Sequence, residues 1–375
     1  MGVLWTNPSI IMGCRLLYLI GQLHTGGSER QLCYLFRAMD RERYKPAVVV
    51  WTHGEDDVYV PQIRALGVPL YSFPQNHSRA AKLHAFRGLV RQLQPEVVHS
   101  WSFYTNFVAY WAARGTEALP VGSIRSDFVR AKRVSGPIIG RLSAWWPSSQ
   151  ICNSLSAAEN ARLLNSLFVP ARISVVRNGV DLDEFQSFPV PADEPVRIVG
   201  IGYLLPVKRW ECLLTAVREL KKKGLNCLVE IAGDGPLQSI LEQQAKDLAV
   251  ADSVQFLGHI DDVPSLLAKA AFVVHTADSE GCPNAIMEAM ACGRAVVATD
   301  AGDIPLLVED GKTGFIVPRN DSSALVDCME RLIADRDICR RMGKAGRAKI
   351  EREFGLNRLV EETLAVYRSA GWSDT

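Results

Sequence analysis

Two rhythms of apolar residues alternate along the chain. Short aliphatic, largely β-branched runs stand at 15–23, 46–51, 69–73, 96–99, 120–125, 151–154 and 173–176. A second series stands at 196–202, 228–232, 254–257, 271–275 and 295–298. Runs this short and this uniformly apolar read as strands covered on both faces. Between them lie stretches with helical spacing, at 31–39, 58–66, 80–93, 104–114, 209–223 and 284–292, and the pattern is helical from Ser322 onward. Alternation of this kind predicts α/β architecture, parallel sheets with helices on both sides. Ligands in such sheets gather at the C-terminal ends of the strands. Pro189 and Pro191, with Pro195 just beyond, separate the two series, and 187–194 reads as a hinge. The expectation is two doubly wound, Rossmann-like domains, 1–188 and 189–353, then a terminal segment, 354–375, with an amphipathic helix over 356–370. Residues 1–13 read as a loose leader.

One stretch concentrates the chemistry. After the strand at 271–275 comes Ser279-Glu280-Gly281-Cys282-Pro283-Asn284, then a helix that stops at Gly293. Pro283 suits a first helical turn, where its missing N–H is not needed. The amides of Asn284, Ala285 and Ile286 then point out of the helix start, a setting that favours phosphate. Glu280 lies in the loop, and Glu288 is a lone carboxylate in an apolar helix. Buried, Glu288 needs a hydrogen-bonding partner, and ribose hydroxyls would serve. On spacing alone, an ordinary turn with two unrelated glutamates stays open.

Other candidates stand at strand ends. Gly26-Gly27 joins the first strand to the first helix, either as a tight turn or to let a ligand approach the backbone. It is not a G-x-G-x-x-G dinucleotide fingerprint. His99 is either a structural histidine or an acceptor-site group. Arg125 suits a grip on phosphate. Lys208 sits at a helix start, where a cation without an anion is slightly unfavourable, or it is a surface lysine.

The wording of the central stretch carries further. Ser-Glu-Gly-x-Pro-Asn, followed by Glu-Ala-Met-Ala-x-Gly and Val-Val-Ala-Thr-Asp, resembles the donor-site motif of the family 4 retaining glycosyltransferases, the GT-B group often called group 1. The match continues through Gly311-Lys312-Thr313-Gly314-Phe315-Ile316-Val317-Pro318, and the whole resemblance covers about 15–370. It implies that Glu280 and Gly281 hold the donor sugar and that Glu288 holds the ribose. Gly26-Gly27-Ser28-Glu29-Arg30 looks like the family loop that faces the donor phosphates and the acceptor. At Gly258-His259-Ile260 the family's backbone meets the nucleobase. Gly202 and Lys208 match the family's Gly-Arg-Leu-x-x-x-Lys phosphate clamp, but Tyr203 replaces the arginine. Arg125 stands where many members carry a catalytic-site histidine. The resemblance puts Glu280 and Lys208 in the catalytic set. Arg125, a departure from the family's pattern, is added to it from its place at a strand end, where it and His99 are also the acceptor candidates. No metal or cofactor is expected beside the nucleotide sugar. The resemblance also implies an interdomain cleft and a last helix that packs back on the N-terminal domain.

Composition narrows the setting. Net charge is +1, which gives no reason to expect nucleic acid. The nine cysteines lack any C-x-x-C spacing, as suits reduced thiols in the cytoplasm. The first apolar run is broken by Arg15, too short for a membrane span, and no Lys or Arg precedes it as in a signal peptide. Between 125 and 146, Arg125, Arg130, Lys132, Arg133 and Arg141 oppose only Asp127, interleaved with Ile138, Ile139, Leu142, Trp145 and Trp146. This suits peripheral contact with an anionic membrane face, or is a solvated basic surface. Asp181-Leu182-Asp183 matches D-x-D but reads as a turn rather than a metal site.

The expected function is metal-independent transfer of a sugar, with retention, from a UDP- or GDP-linked donor to an acceptor hydroxyl, free or lipid-linked, in cell-surface polysaccharide or glycolipid synthesis. The competing reading is a nucleotide-sugar-binding protein with weak catalysis, which the departures at Tyr203 and Arg125 favour. A metal-dependent transferase of another fold and a Rossmann oxidoreductase fit less well.

Overall fold

The computed structural model describes residues 13–54, 57–164 and 166–374. The leader expected at 1–13 lies outside them except for Gly13. The chain forms two compact units: residues 1–179 with 356–375, and residues 180–355.

The first unit holds seven parallel strands: β1 (Leu16–Ile20), β2 (Pro46–Val50), β3 (Leu70–Ser72), β4 (Val97–Ser100), β5 (Leu119–Ile124), β6 (Ser149–Cys152) and β7 (Arg172–Val175). Their order is β3-β2-β1-β4-β5-β6-β7, so the direction of winding reverses between β1 and β4. Every residue of β1, β2 and β4 is buried. The reason is a core on each face. Leu32, Phe36 and Trp101 pack on one side, and Phe86, Val90 and Ala109 on the other. The last helix, Leu356–Ser369, belongs to this unit and buries Leu359, Leu364 and Tyr367 in the first of these cores. Trp372 follows it, and its Nε1 donates to Glu96 at 2.6 Å.

The second unit holds β8 (Val196–Ile201), β9 (Cys227–Ala232), β10 (Val254–Gly258), β11 (Phe272–His275), β12 (Ala295–Thr299) and β13 (Gly314–Val317), in the order β10-β9-β8-β11-β12-β13. All pairings are parallel. The winding reverses between β8 and β11. Leu213, Val217 and Met329 fill one face, and Ile286, Met290 and Leu267 the other.

The division between units differs from the one read from prolines. Residues 180–188 belong to the second unit, because Phe185 is fully buried in its core. The 187–194 stretch is pinned to that unit as well. Arg294, fully buried, donates to the carbonyls of Phe188 and Pro189, and also to Ala270 at 2.8 Å and Cys292 at 3.1 Å. Prolines mark an irregular segment, but packing decides which unit it belongs to. The basic, Trp-containing 125–146 stretch forms two helices, Phe128–Val134 capped by Asp127 and Pro137–Trp145.

Candidate functional site

The sharpest chemistry lies in the second unit, at the reversal between β8 and β11. After β8 the chain passes Gly202, whose φ of +155° is one that only glycine adopts readily. The side chain of Lys208 lies over that glycine, with Cε 3.4 Å from where a Cβ would stand. Two bonds tie this loop to the one after β11. Asp278 N donates to Val207 O at 2.8 Å, and Thr276 Oγ1 donates to Lys208 O at 2.8 Å. They bring Lys208 Nζ onto Glu280 Oε1. His275, the last residue of β11 and 2 % exposed, places Nε2 2.8 Å from the same oxygen. Burial alone would raise the carboxyl pKa of Glu280. The hydrogen bond and charge of His275 and the charge of Lys208 outweigh it and hold the group at about 2. Glu280 is therefore an anion throughout the neutral range.

The helix Asn284–Ala291 starts directly beyond this loop. Pro283 occupies its cap position and offers no side-chain bond. The first backbone bond of the helix runs from Met287 N to Pro283 O at 3.4 Å, so the amides of Ala285 and Ile286 precede the ladder. Glu288 is 2 % exposed, turned into the unit rather than outward. Gly281 O accepts from Asp303 N at 3.3 Å, and Gly302 backs the Glu280 loop so closely that a Cβ would stand 1.8 Å from Glu280 O. Gly233 and Gly258 join the ends of β9 and β10 at 2.7 Å, and Ile260, half-buried, follows on the same end of the sheet. Gly202, Lys208, Ile260, Glu280, Gly281, Asn284, Ala285, Ile286 and Glu288 thus share one end of one unit.

Tyr203 leaves the clamp one arginine short, and Arg209 does not stand in for it. Its Nε donates to Glu211 at 2.5 Å and its Nη1 to Asp278 at 2.8 Å, so two carboxylates already hold it. His275 is the residue that sequence reasoning missed. It reads as the apolar end of a strand, and only its position five residues before Glu280 hints at a shared turn.

The first unit carries the remaining candidates at the ends of β1, β4 and β5. Gly26 precedes the helix Gly27–Ala38 and gives it no side-chain cap. His99 is 1 % exposed, with Nδ1 2.6 Å from the Tyr367 hydroxyl and Nε2 2.9 Å from Ser123 Oγ. Both ring nitrogens are occupied, so the structure places it as a packing group, and the acceptor contact expected of it does not fit this burial. Burial and the charge of Arg125 hold its pKa well below that of free histidine. Arg125 lies above, with Cζ 3.7 Å from the Trp101 ring centre. Asp181 is the acceptor of a local turn, from Asp183 N at 3.0 Å and Glu184 N at 3.3 Å. Among the described residues no group of three or more His, Cys, Asp or Glu is placed to hold a metal.

Residues 183–349 match the family described as glycosyl transferases group 1, and residues 25–184 match glycosyltransferase family 4. The chain belongs to the group 1 glycosyltransferases, of GT-B fold. Among relatives, it is 35 % identical over 196 residues to WcaL of Escherichia coli K12, a glycosyltransferase ascribed to colanic acid biosynthesis, covering 49 % of this chain and 48 % of that one. It is 31 % identical over 218 residues to the GDP-mannose-dependent α-(1-6)-phosphatidylinositol monomannoside mannosyltransferase of Mycolicibacterium smegmatis, covering 53 % and 57 %. The chain spans about half the length of the curated relatives it matches. Among solved structures, Anabaena Alr3699/HepE in complex with UDP-glucose superposes with a TM-score of 0.79 at 19 % identity, over 95 % of this chain and 99 % of that one.

Proposed function

We propose that the protein transfers a sugar, with retention and without a metal, from a UDP- or GDP-linked donor to an acceptor hydroxyl in cell-surface polysaccharide or glycolipid synthesis. One observation carries this reading. An ionised carboxylate, Glu280, is held by Lys208 and His275 at a strand reversal, directly before an uncapped helix start. Lys208 and the amides at 284–286 suit a departing diphosphate, whose charge grows as the sugar leaves. Glu280 suits the sugar hydroxyls, Glu288 the ribose, and the backbone at Ile260 the base. Gly26 and Gly27 are assigned to the phosphates by resemblance alone. In the reaction the acceptor oxygen bonds to the anomeric carbon, the bond from that carbon to the β-phosphate oxygen breaks, and the acceptor proton passes to the departing diphosphate. Relatives named for UDP-glucose complexes, colanic acid and phosphatidylinositol mannosides support the donor class and the setting.

The test is a thermal-shift screen of nucleotide sugars, because a ligand of the folded state raises the melting temperature by mass action. One UDP- or GDP-sugar should stand out, Glu288→Ala should abolish its shift, and turnover should survive EDTA. No shift with any nucleotide sugar, or loss of turnover with chelator, would refute the proposal. The weak-binder reading keeps one specific support: Tyr203 stands in for an arginine and Arg209 is held by Glu211 and Asp278. A selective shift without donor hydrolysis or transfer would favour it.

The first unit also presents Val134, Ile138, Leu163 and Leu167 at 71–88 % exposure, among the exposed Arg130, Arg133, Arg141 and Arg162. We assign this face to an anionic lipid surface, where apolar side chains insert and cations meet headgroups.

A further inference from the structure

Arg125 is a cation in the wrong surroundings. It leaves the end of β5 and lies flat on Trp101, itself fully buried and anchored by a 2.8 Å bond from its Nε1 to Ser28 O. Beneath are the neutral His99 and the hydroxyls of Tyr18 and Tyr367, 3.2 Å apart. The guanidinium Nε and Nη1 are buried without a hydrogen-bond partner. Among the described residues no carboxylate pairs with it. Burial lowers its pKa to about 10, which still leaves it charged at neutral pH. A partly desolvated, unpaired cation destabilises a fold, so a chain that keeps one generally uses it on something outside itself.

Planar, rigid and always charged, a guanidinium stacked on an indole is a receptor for a carboxylate or a phosphate. The donor diphosphate is already provided for in the second unit. We infer that Arg125, braced on Trp101, receives an anionic group, phosphate or carboxylate, carried by the acceptor. This rests on the sugar-transfer reading and narrows its acceptor to an anionic one.

The test compares wild type with Arg125→Met and Arg125→Lys by thermal shift. Inorganic phosphate and succinate are the probes, with chloride at matched ionic strength as control, each with and without saturating UDP or GDP. Phosphate or succinate should raise the wild-type melting temperature beyond chloride, by the same amount whether or not nucleotide is bound. Arg125→Met should melt about 2–4 °C higher than wild type without ligand, since it removes an unpaired charge, and should lose the anion shift. Arg125→Lys should keep part of it. Three results would overturn the inference. These are no anion shift in wild type, an anion shift that vanishes once nucleotide is bound, or a lower melting temperature for Arg125→Met. The second would return Arg125 to the donor diphosphate, and the third would make it structural. Failure of every nucleotide to shift the protein would instead strike the sugar-transfer reading, and the anion shift would still report on Arg125.

Discussion

Replacing Glu280 with glutamine removes one charge and little volume. In the native protein Lys208 and His275 hold the Glu280 carboxyl at about 2, against an ordinary 4.5. At ~1.4 kcal/mol per pH unit, that difference is worth about 3 kcal/mol of stability at pH 7. Glu280 is 13 % exposed and Lys208 19 %, so solvent screens the pair only in part. The sign follows from the depressed pKa. The stabilisation is fully present above pH ~4.5, and it fades as pH falls toward 2. The assay is urea unfolding of wild type and Glu280→Gln, fitted at pH 7 and pH 3. The variant should be about 3 kcal/mol less stable at pH 7, and the gap should shrink to roughly half at pH 3. The same variant frees Lys208 of its carboxylate, so UDP or GDP should bind up to about tenfold more tightly while turnover falls roughly a hundredfold. An equal gap at both pH values would refute the ion-pair argument, because the lost contact would then not depend on ionisation.

The other predictions test the frame around these groups. Gly302→Ala places a Cβ 1.8 Å from Glu280 O at a φ of +55°, so chemical denaturation should show a loss of about 2–4 kcal/mol, with the nucleotide-sugar shift also lost. Arg294→Met leaves the carbonyls of Ala270, Phe188, Cys292 and Pro189 without their donor and should cost about 3–5 kcal/mol by the same measurement; a loss under 1 kcal/mol would contradict the pinning of 187–194. Tyr367→Phe removes the hydroxyl shared by His99 and Tyr18, and should destabilise the first unit by about 1–3 kcal/mol. Ile138→Asp with Leu167→Asp should reduce flotation with phosphatidylglycerol vesicles at least tenfold, and 0.5 M salt should reduce that of wild type; unchanged flotation of the double variant would rule this face out.

Two parallel sheets were legible from the runs of Val, Ile and Leu alone, because a strand covered on both faces has no polar register to hide it. Glu280, Lys208 and the helix start at Asn284 were named from the family resemblance of their motifs, since spacing alone left an ordinary turn open. What stayed hidden depended on residues far apart in sequence. His275 looked like the end of a strand until folding set it beside Glu280, and nothing local told that Asp278, 69 positions away, would hold Arg209. His99 stood open between a structural and an acceptor role until Tyr367, 268 positions on, closed over it. Prolines suggested a hinge at 187–194, and the side chain of Arg294 pinned that stretch to the second unit. Local order follows from side-chain period and backbone freedom, which a sequence states directly. Which charge finds a partner and which is left bare is settled only when distant segments pack, and at Arg125 that packing left a cation unpaired.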